Sequence, residues 1–302
     1  MAAIRRHGGD VLTDTEATRI VVEHGRVTAV RLVPGRGGGP PGGTPEELRA
    51  PVVVAAGDLK RTFLDLVDHD AVPARVRRRV RGFEMAAPLF VVYLVLDRDL
   101  RAEGMPNRNW SVIDCDDVDA MYASWAHGQL PAQRWTWITS ASLKDPANPR
   151  LCRPGQTNLQ LMTGAPASHA FWDVDQGLEL GPTYGRRRRE LRDRAVRHAE
   201  RAIPGLADAI AFGETATPVT LERRLGASGG TSYGIAATPS QFGLLRPGAR
   251  TPIEGLFLAG ASTRSGHGVT YAMHGGAEAA RAITGEPGMV GAAAPATGEA
   301  PR

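Results

Sequence analysis

The chain has 302 residues, 42% of them hydrophobic, enough for one large domain or two modest ones with real cores, which excludes a wholly disordered protein. Its formal net charge is +4, and its two cysteines, Cys115 and Cys152, form no CxxC pair, so neither a disulfide framework nor a zinc site is indicated and a reducing cytoplasm is the default. The longest apolar runs, such as 89–96, are too short to span a bilayer, and the first residues lack the apolar core of a secretory signal, so any membrane association is peripheral.

In chain order, 1–7 reads as the last turns of a helix stopped by Gly8 and Gly9, and 10–13 as a short strand. The β-branched run 18–23, the two-residue turn His24-Gly25 and the alternating run 26–32 predict a hairpin. Residues 34–45 are almost all Gly and Pro and predict a flexible excursion. A strand over 51–56 restores order, and Asp58 is placed to cap a helix over 59–67.

The middle changes character. Strands are expected at 89–96, 110–114, 135–141 and 157–163, and helices at 118–127 and 186–203. The tryptophans at 110, 125, 135, 137 and 172 all lie here; they either wall an apolar cavity or fill a core. Arg186 to Arg189 open the second helix, whose Leu191, Ala195, Val196, Ala199 and Ile203 recur at helical spacing. The arginines therefore read as a wet face, with lipid-surface contact as the lesser alternative.

The end of the chain returns to the character of its beginning, with a short apolar strand over 255–260, a small-residue loop over 261–268, and a helix over 269–283. After Gly285 the tail is Gly, Ala and Pro and is expected to be disordered.

The last strand, loop and helix are the strongest local signal. A strand that delivers the chain to a glycine-rich turn at a helix amino terminus leaves backbone N–H groups free, and it aims the positive end of the helix dipole at whatever binds there. A pyrophosphate or the electron-rich edge of a flavin suits that place. The segment GLFLAGASTRSGHGVTYAMHGGAEAARAI (255–283) resembles the carboxy-terminal flavin-binding signature of the phytoene desaturase and carotenoid isomerase family. PVVVAAGDLKRTFLDLV (51–67), ATRIVVEHGRVTAVRL (17–32) and GGTSYGIAATPSQF (229–242) are similar to further segments of that family, in the same order.

This resemblance implies an α/β protein: an incomplete FAD-binding Rossmann-like domain with an inserted α+β substrate domain. It places FAD-domain segments at 1–75 and 226–286, a substrate domain at 76–225 and a disordered tail at 287–302. Carried over by position, Gly260 and Ala261 approach the ribityl and phosphate region of FAD, and Gly268, Val269 and Thr270 present helix N–H groups to the flavin. Ala55, Ala56 and Gly57 line the adenosine side, and Ala17 offers backbone atoms near the adenine. The substrate implied is a long apolar molecule, a carotenoid, other polyene or isoprenoid.

Two departures stand out. The family's His-Pro pair is Arg264-Ser265 here, and its central Gly is His267. The family also begins with a strand, GxGxxG and a helix, whereas the literal match here, Gly37 to Gly42, contains two prolines and opens no helix. A clipped start or a separate complementing amino-terminal half is expected, and with it a non-catalytic remnant or one subunit of a two-chain flavoprotein as the alternative function. Hydride chemistry belongs to the cofactor, so the sequence requires no catalytic acid or base. His267 is the catalytic candidate, either near the flavin or merely facing solvent; Tyr233 and Tyr271 either border a substrate tunnel or pack in a core.

Competing signals are weaker. Gly226-Ala-Ser228-Gly-Gly230 satisfies GxSxG, but a hydrolase elbow needs a helix after the serine, and 231–236 reads as extended. The eight histidines are scattered without HExxH, so no metal is expected. An arginine run without interleaved aromatics is a poor nucleic-acid footprint.

Overall fold

The computed structural model describes residues 1–34, 46–126 and 135–285, and for 124–126 the backbone alone. The Gly-Pro excursion, the Gly37 to Gly42 match, the tail and the side chain of Trp125 lie outside what is described. In chain order the elements are α1 (Ala2–Arg6), β1 (Thr15–Glu23), β2 (Arg26–Pro34), β3 (Glu46–Arg49), β4 (Val53–Ala55), α2 (Leu59–Arg61), α3 (Ala74–Gly82), β5 (Leu89–Leu96) and β6 (Trp110–Ile113). They continue with α4 (Val118–Ala126), β7 (Trp135–Thr139), α5 (Ala141–Lys144), β8 (Thr157–Gly164), α6 (His169–Trp172), α7 (Tyr184–Ala199), β9 (Ile210–Ala216), α8 (Pro218–Leu225), β10 (Leu256–Leu258) and α9 (Val269–Thr284). This mixture of helix and sheet is the α/β class read from the sequence.

The described residues divide into two compact units, one drawn from 1–56, 62–79 and 239–285, the other from 57–61 and 80–238. In the first unit β1, β2 and β3 form an antiparallel sheet. Val27 donates to the Glu254 carbonyl at 2.8 Å and Glu254 to the Gly25 carbonyl at 2.9 Å, which fastens the hairpin to the segment that leads into β10. An Arg26–Glu254 ion pair covers the same join. Beside it β4 and β10 pair in parallel, with Leu256 opposite Val53 and Leu258 opposite Ala55. Leu256 and Leu258 are buried, but Val52 and Val54 are 39% and 42% exposed. Parallel strands are ordinarily covered on both faces; among the described residues this pair has no third strand.

The second unit is built on a five-stranded antiparallel sheet in the order β6-β7-β8-β5-β9. Alternation splits each strand: Phe90, Val92, Leu94 and Leu96 of β5, Ile138 of β7, and Leu159 and Leu161 of β8 all enter one core. Leu191, Ala195, Val196 and Ala199 of α7 close that core, as their spacing requires. Each fully buried aliphatic side chain there contributes about 1.5–3 kcal/mol. Arg186, Arg188 and Arg189 in the first turns of α7 are exposed, and Arg194 pairs with Glu190 one turn back at 2.8 Å.

The tryptophans do not all share one environment. Trp172 is fully buried, stacked on Phe90 at 6.1 Å and edge-on to Phe171 at 5.0 Å, and its Nε1 donates to the Pro166 carbonyl at 2.8 Å. It is core. Trp135 and Trp137 lie on the other face of the sheet from Thr136 and Ile138 and are half-buried.

Several boundaries differ from the sequence expectation. Residues 10–13 form no strand, because the Asp10 carboxylate takes the Val11 amide at 2.7 Å and supplies a local partner in place of a ladder. The helix expected over 59–67 is α2 followed by a π turn over Thr62–Leu66. Its cap is as expected, with the Arg61 amide donating to Asp58 Oδ1 at 2.9 Å.

Candidate functional site

The carboxyl ends of β4 and β10 lie side by side, since they pair in parallel, and Ala259 donates to the Ala55 carbonyl at 3.1 Å. In open parallel sheets ligands bind beyond the carboxyl ends of the strands. Gly260 follows β10 with φ of +87°, and a Cβ built there would lie 3.0 Å from the Ala56 carbonyl oxygen. A side chain at 260 would therefore be strained and crowded at once.

The chain then makes a tight turn. The Gly260 carbonyl accepts from the Thr263 amide at 3.1 Å and from Thr263 Oγ1 at 2.8 Å. Arg246, 3% exposed, reaches beneath this turn: Nε donates to the Thr263 carbonyl at 2.8 Å and Nη2 to the Ala261 carbonyl at 2.6 Å. Burial pulls its pKa down from the usual guanidinium value.

The turn opens α9 at Gly268, which brings no capping side chain. The first-turn amides of Val269, Thr270 and Tyr271 therefore have no intrahelical acceptor, and the positive end of a 16-residue helix faces outward here. Farther along α9, a Cβ built on Gly275 would lie 3.2 Å from Thr263 Oγ1 and 3.4 Å from the Gly260 nitrogen. A bare glycine lets the helix approach the turn that closely. Uncapped amides, a glycine pressed against a neighbouring strand end and a glycine under the turn fit the pyrophosphate or flavin edge of a bound dinucleotide.

The structure gathers most of the predicted cofactor residues in the first unit: Ala17 in β1, Ala55 and Ala56 at the end of β4, and Gly260, Ala261, Gly268, Val269 and Thr270 around the turn. Gly57 falls in the second unit. His267 is exposed on the turn. Tyr233 and Tyr271 are 38% and 60% exposed, so the core-packing alternative fails for both; they belong to different units.

A separate cavity lies elsewhere. A space of about 620 Å³ in the first unit is lined by Val52, Arg250, Gly255, Phe257 and Ile283. It sits at the amino ends of β4 and β10 and at the carboxyl end of α9, where the helix dipole is negative. That polarity is wrong for phosphate.

Other polar clusters serve the fold. The Ser228 hydroxyl donates to Asp58 Oδ1 at 2.8 Å and its amide to Oδ2 at 2.9 Å, and a short 3₁₀ turn rather than an α-helix follows. The serine of the GxSxG pattern is thus a loop anchor. Buried His198 on α7 lies 2.8 Å from Thr136 Oγ1 and 3.0 Å from Asp114 Oδ2. The order Thr, His, Asp imitates a hydrolytic triad, yet Thr136 is fully buried and no substrate reaches it. Arg201 also pairs with Asp114; its hydrogen bond, then that of His198, holds the Asp114 carboxyl below the usual carboxylate range against an opposing desolvation. Among the described residues no group of three or more His, Cys, Asp or Glu is placed to hold a metal.

Sequence reasoning missed Arg246 and Gly275. Both lie in segments it had singled out or adjoin one. A lone Arg-Pro after an apolar tripeptide and a glycine inside a helix were the available signals.

A family model described as flavin containing amine oxidoreductase matches residues 1–284. Pyridine nucleotide-disulfide oxidoreductase domain-containing protein 2 of Rattus norvegicus is 25% identical over 283 residues, covering 87% of this chain and 45% of its own length. A lycopene-forming phytoene desaturase of Paracoccus sp. (strain N81106 / MBIC 01143) is 24% identical over 273 residues, covering 89% and 49%. An oxidoreductase structure from Methanosarcina mazei superposes with a TM-score of 0.52 at 13% identity, over 94% of this chain and 52% of that one. The chain spans about half the length of the curated relatives it matches.

Proposed function

The chain belongs to the flavin containing amine oxidoreductase family, its cofactor is FAD, and from that premise we propose that it forms the carboxy-terminal part of an FAD-dependent oxidoreductase for a long apolar substrate. The reaction class is desaturation, saturation or isomerisation of a carotenoid, other polyene or isoprenoid. The observation that carries the cofactor half of this reading is the uncapped mouth of α9 beside the carboxyl ends of β4 and β10. When bound, FAD supplies the two-electron acceptor that no side chain provides. The chain's own part is to bind and orient: amides of Val269, Thr270 and Tyr271 donate to the cofactor, while Gly260 and Ala261 offer backbone at close approach.

Two observations support an apolar substrate. One is the similarity to a phytoene desaturase. The other is the half-buried row Trp137, Met162 and Val91, cross-strand neighbours on the sheet face away from the core, with Tyr93 41% exposed next to it. A flat row of large apolar groups suits a long chain without hydrogen-bonding groups.

A second reading, one subunit of a two-chain flavoprotein or a non-catalytic remnant, is favoured by exposed Val54 of the two-stranded parallel sheet and exposed Val52 just before it. A complementing amino-terminal half would cover them. The visible spectrum of the purified chain separates the cases. A flavin band that survives gel filtration supports a competent site; colour gained only on mixing with the amino-terminal half of a relative supports the two-chain form. A protein colourless under both conditions overturns the flavin reading.

A further inference from the structure

We propose that the outer edge of β9 and the arginines of α7 form a docking groove for an extended acidic segment of a partner protein, which adds to the second unit's sheet as a further strand.

The sheet ends at β9, which is bonded to β5 and, among the described residues, to no strand on its other side. The backbone N–H and C=O groups along that side are a template for another strand. Four successive residues of β9, from Ala211 to Glu214, are exposed, so neither face of the edge is covered there. The register of β9 shifts against Val95 and Leu96, which leaves the stretch from Phe212 to Ala216 as the regular part of the edge.

Directly opposed residues of neighbouring strands share a face. Gly213 and Thr215 lie opposite Leu94 and Val92, whose side chains enter the core that α7 closes, whereas Phe212 and Glu214 lie opposite Val95 and Tyr93 on the other face. A groove of about 360 Å³ between α7 and this edge is lined by Arg188, Arg189, Arg192 and residues 212–215. Arg188 and Arg189 are exposed and, among the described residues, have no hydrogen bond or ion pair, while Arg192 is held by Asp193 at 2.7 Å. Glu190, the acid that follows them in α7, is taken by Arg194 at 2.8 Å.

A strand added to β9 alternates its side chains between two surroundings. Those opposite Gly213 and Thr215, about 7 Å apart, stand on the side of the guanidiniums, and the one opposite Phe212 meets a ring that is 58% exposed. Guanidinium forks pair with carboxylates bidentately. The occupant therefore carries acidic residues at alternate positions and an apolar residue on its other face, held by main-chain bonds along the edge. A free anion satisfies the arginines but leaves the edge and Phe212 bare. Pairing with β9 of a second copy sets one row of arginines against another, and like charges oppose it. The flavin reading is not needed for any of this.

The test titrates the full chain with a short fluorescein-labelled peptide that alternates Glu and Val, read by fluorescence anisotropy and by amide hydrogen exchange. One comparison peptide alternates Lys and Val; another keeps Glu and Val but carries N-methyl groups on alternate amides, which removes the donors that face the edge. We expect the Glu-Val peptide alone to bind, and its affinity to fall about tenfold in Arg188→Ala/Arg189→Ala and further with added salt, as two exposed charge pairs are lost or screened. Exchange over 212–215 should slow on binding while β4 is unchanged. Should the double variant fail to fold, the three peptides on the wild-type chain decide. No binding of the Glu-Val peptide, equal binding of its N-methylated form, unchanged affinity in the variant, or unaltered exchange over 212–215 overturns the proposal. Slowed exchange over 212–215 without peptide as protein concentration rises would make a second copy the occupant and overturns it too.

Discussion

The Ser265 hydroxyl donates to the Glu278 carboxylate at 3.0 Å, so the turn after β10 is tied to the middle of the helix that it opens. Bonds to a charged acceptor contribute about 1.5–3 kcal/mol, and this half-buried one belongs near the lower end. Ser265→Ala should lower the unfolding free energy in urea by about 1.5 kcal/mol. Ser265→Thr, which keeps the hydroxyl, should lose less. Identical denaturation curves for Ala and wild type would show that the tie contributes nothing.

Two adjacent glycines of α9 should respond with opposite signs. A Cβ on Gly275 would meet Thr263 Oγ1 at 3.2 Å, whereas one on Gly276 meets nothing within 4 Å. Gly276→Ala should stabilise the chain by up to about 1 kcal/mol through helix propensity. Gly275→Ala should destabilise by about 1–3 kcal/mol, the cost of overpacking. Thermal unfolding of the two variants checks both, and a shared sign would contradict the close helix-to-turn packing.

The Asp114 clamp should give a pH signature. Its carboxyl is held low in the folded state, first by Arg201 and then by His198. A depressed folded pKa means that the stabilisation is present above the unfolded carboxylate pKa of about 3.9 and is lost as pH falls from there through the folded value. Asp114→Asn should therefore be less stable than wild type at neutral pH, and the gap should close in acid. Parallel stability curves down to pH 2, about two units below that pKa, would exclude the clamp.

The two faces of the second unit's sheet should also separate. Trp172→Ala removes a fully buried ring and should cost about 3–5 kcal/mol in stability. Trp137→Ser, on the half-buried row, should weaken binding of a polyene probe by about tenfold, the scale of a lost apolar pocket contact. Its unfolding midpoint should move far less than that of Trp172→Ala. If Trp137→Ser leaves probe affinity untouched, the row is not the substrate wall.

The hairpin, β5, β8 and α9 were legible in the sequence because their patterns are strong and local: alternation around a two-residue turn, an unbroken apolar run, and a small-residue helix after a glycine turn. Other elements were hidden for identifiable reasons. In β9, an edge strand with four exposed residues in succession, no buried face imprints alternation. In α3, five arginines leave only Val76 and Val80 to mark a buried side, and Val80 alone is buried. By contrast α8 carries readable signals, with Thr217 as capping box, Pro218 in the first turn and Gly226 as left-handed stop, although no helix was expected there. At the candidate site, glycines and small residues announced the turn, but the Arg246 guanidinium bonds two of its carbonyls from 15 and 17 residues away, a reach that no local pattern encodes.

The two-stranded ribbon of β4 and β10 has a consequence for the chain handled by itself. Beside exposed Val52 and Val54, β4 is hydrogen-bonded among the described residues to no strand other than β10. A bare strand edge next to apolar side chains is a template for any extended segment, including that of another copy. Were a companion strand to add at this edge, self-association would compete with it, and mass action would make protein concentration the arbiter between them.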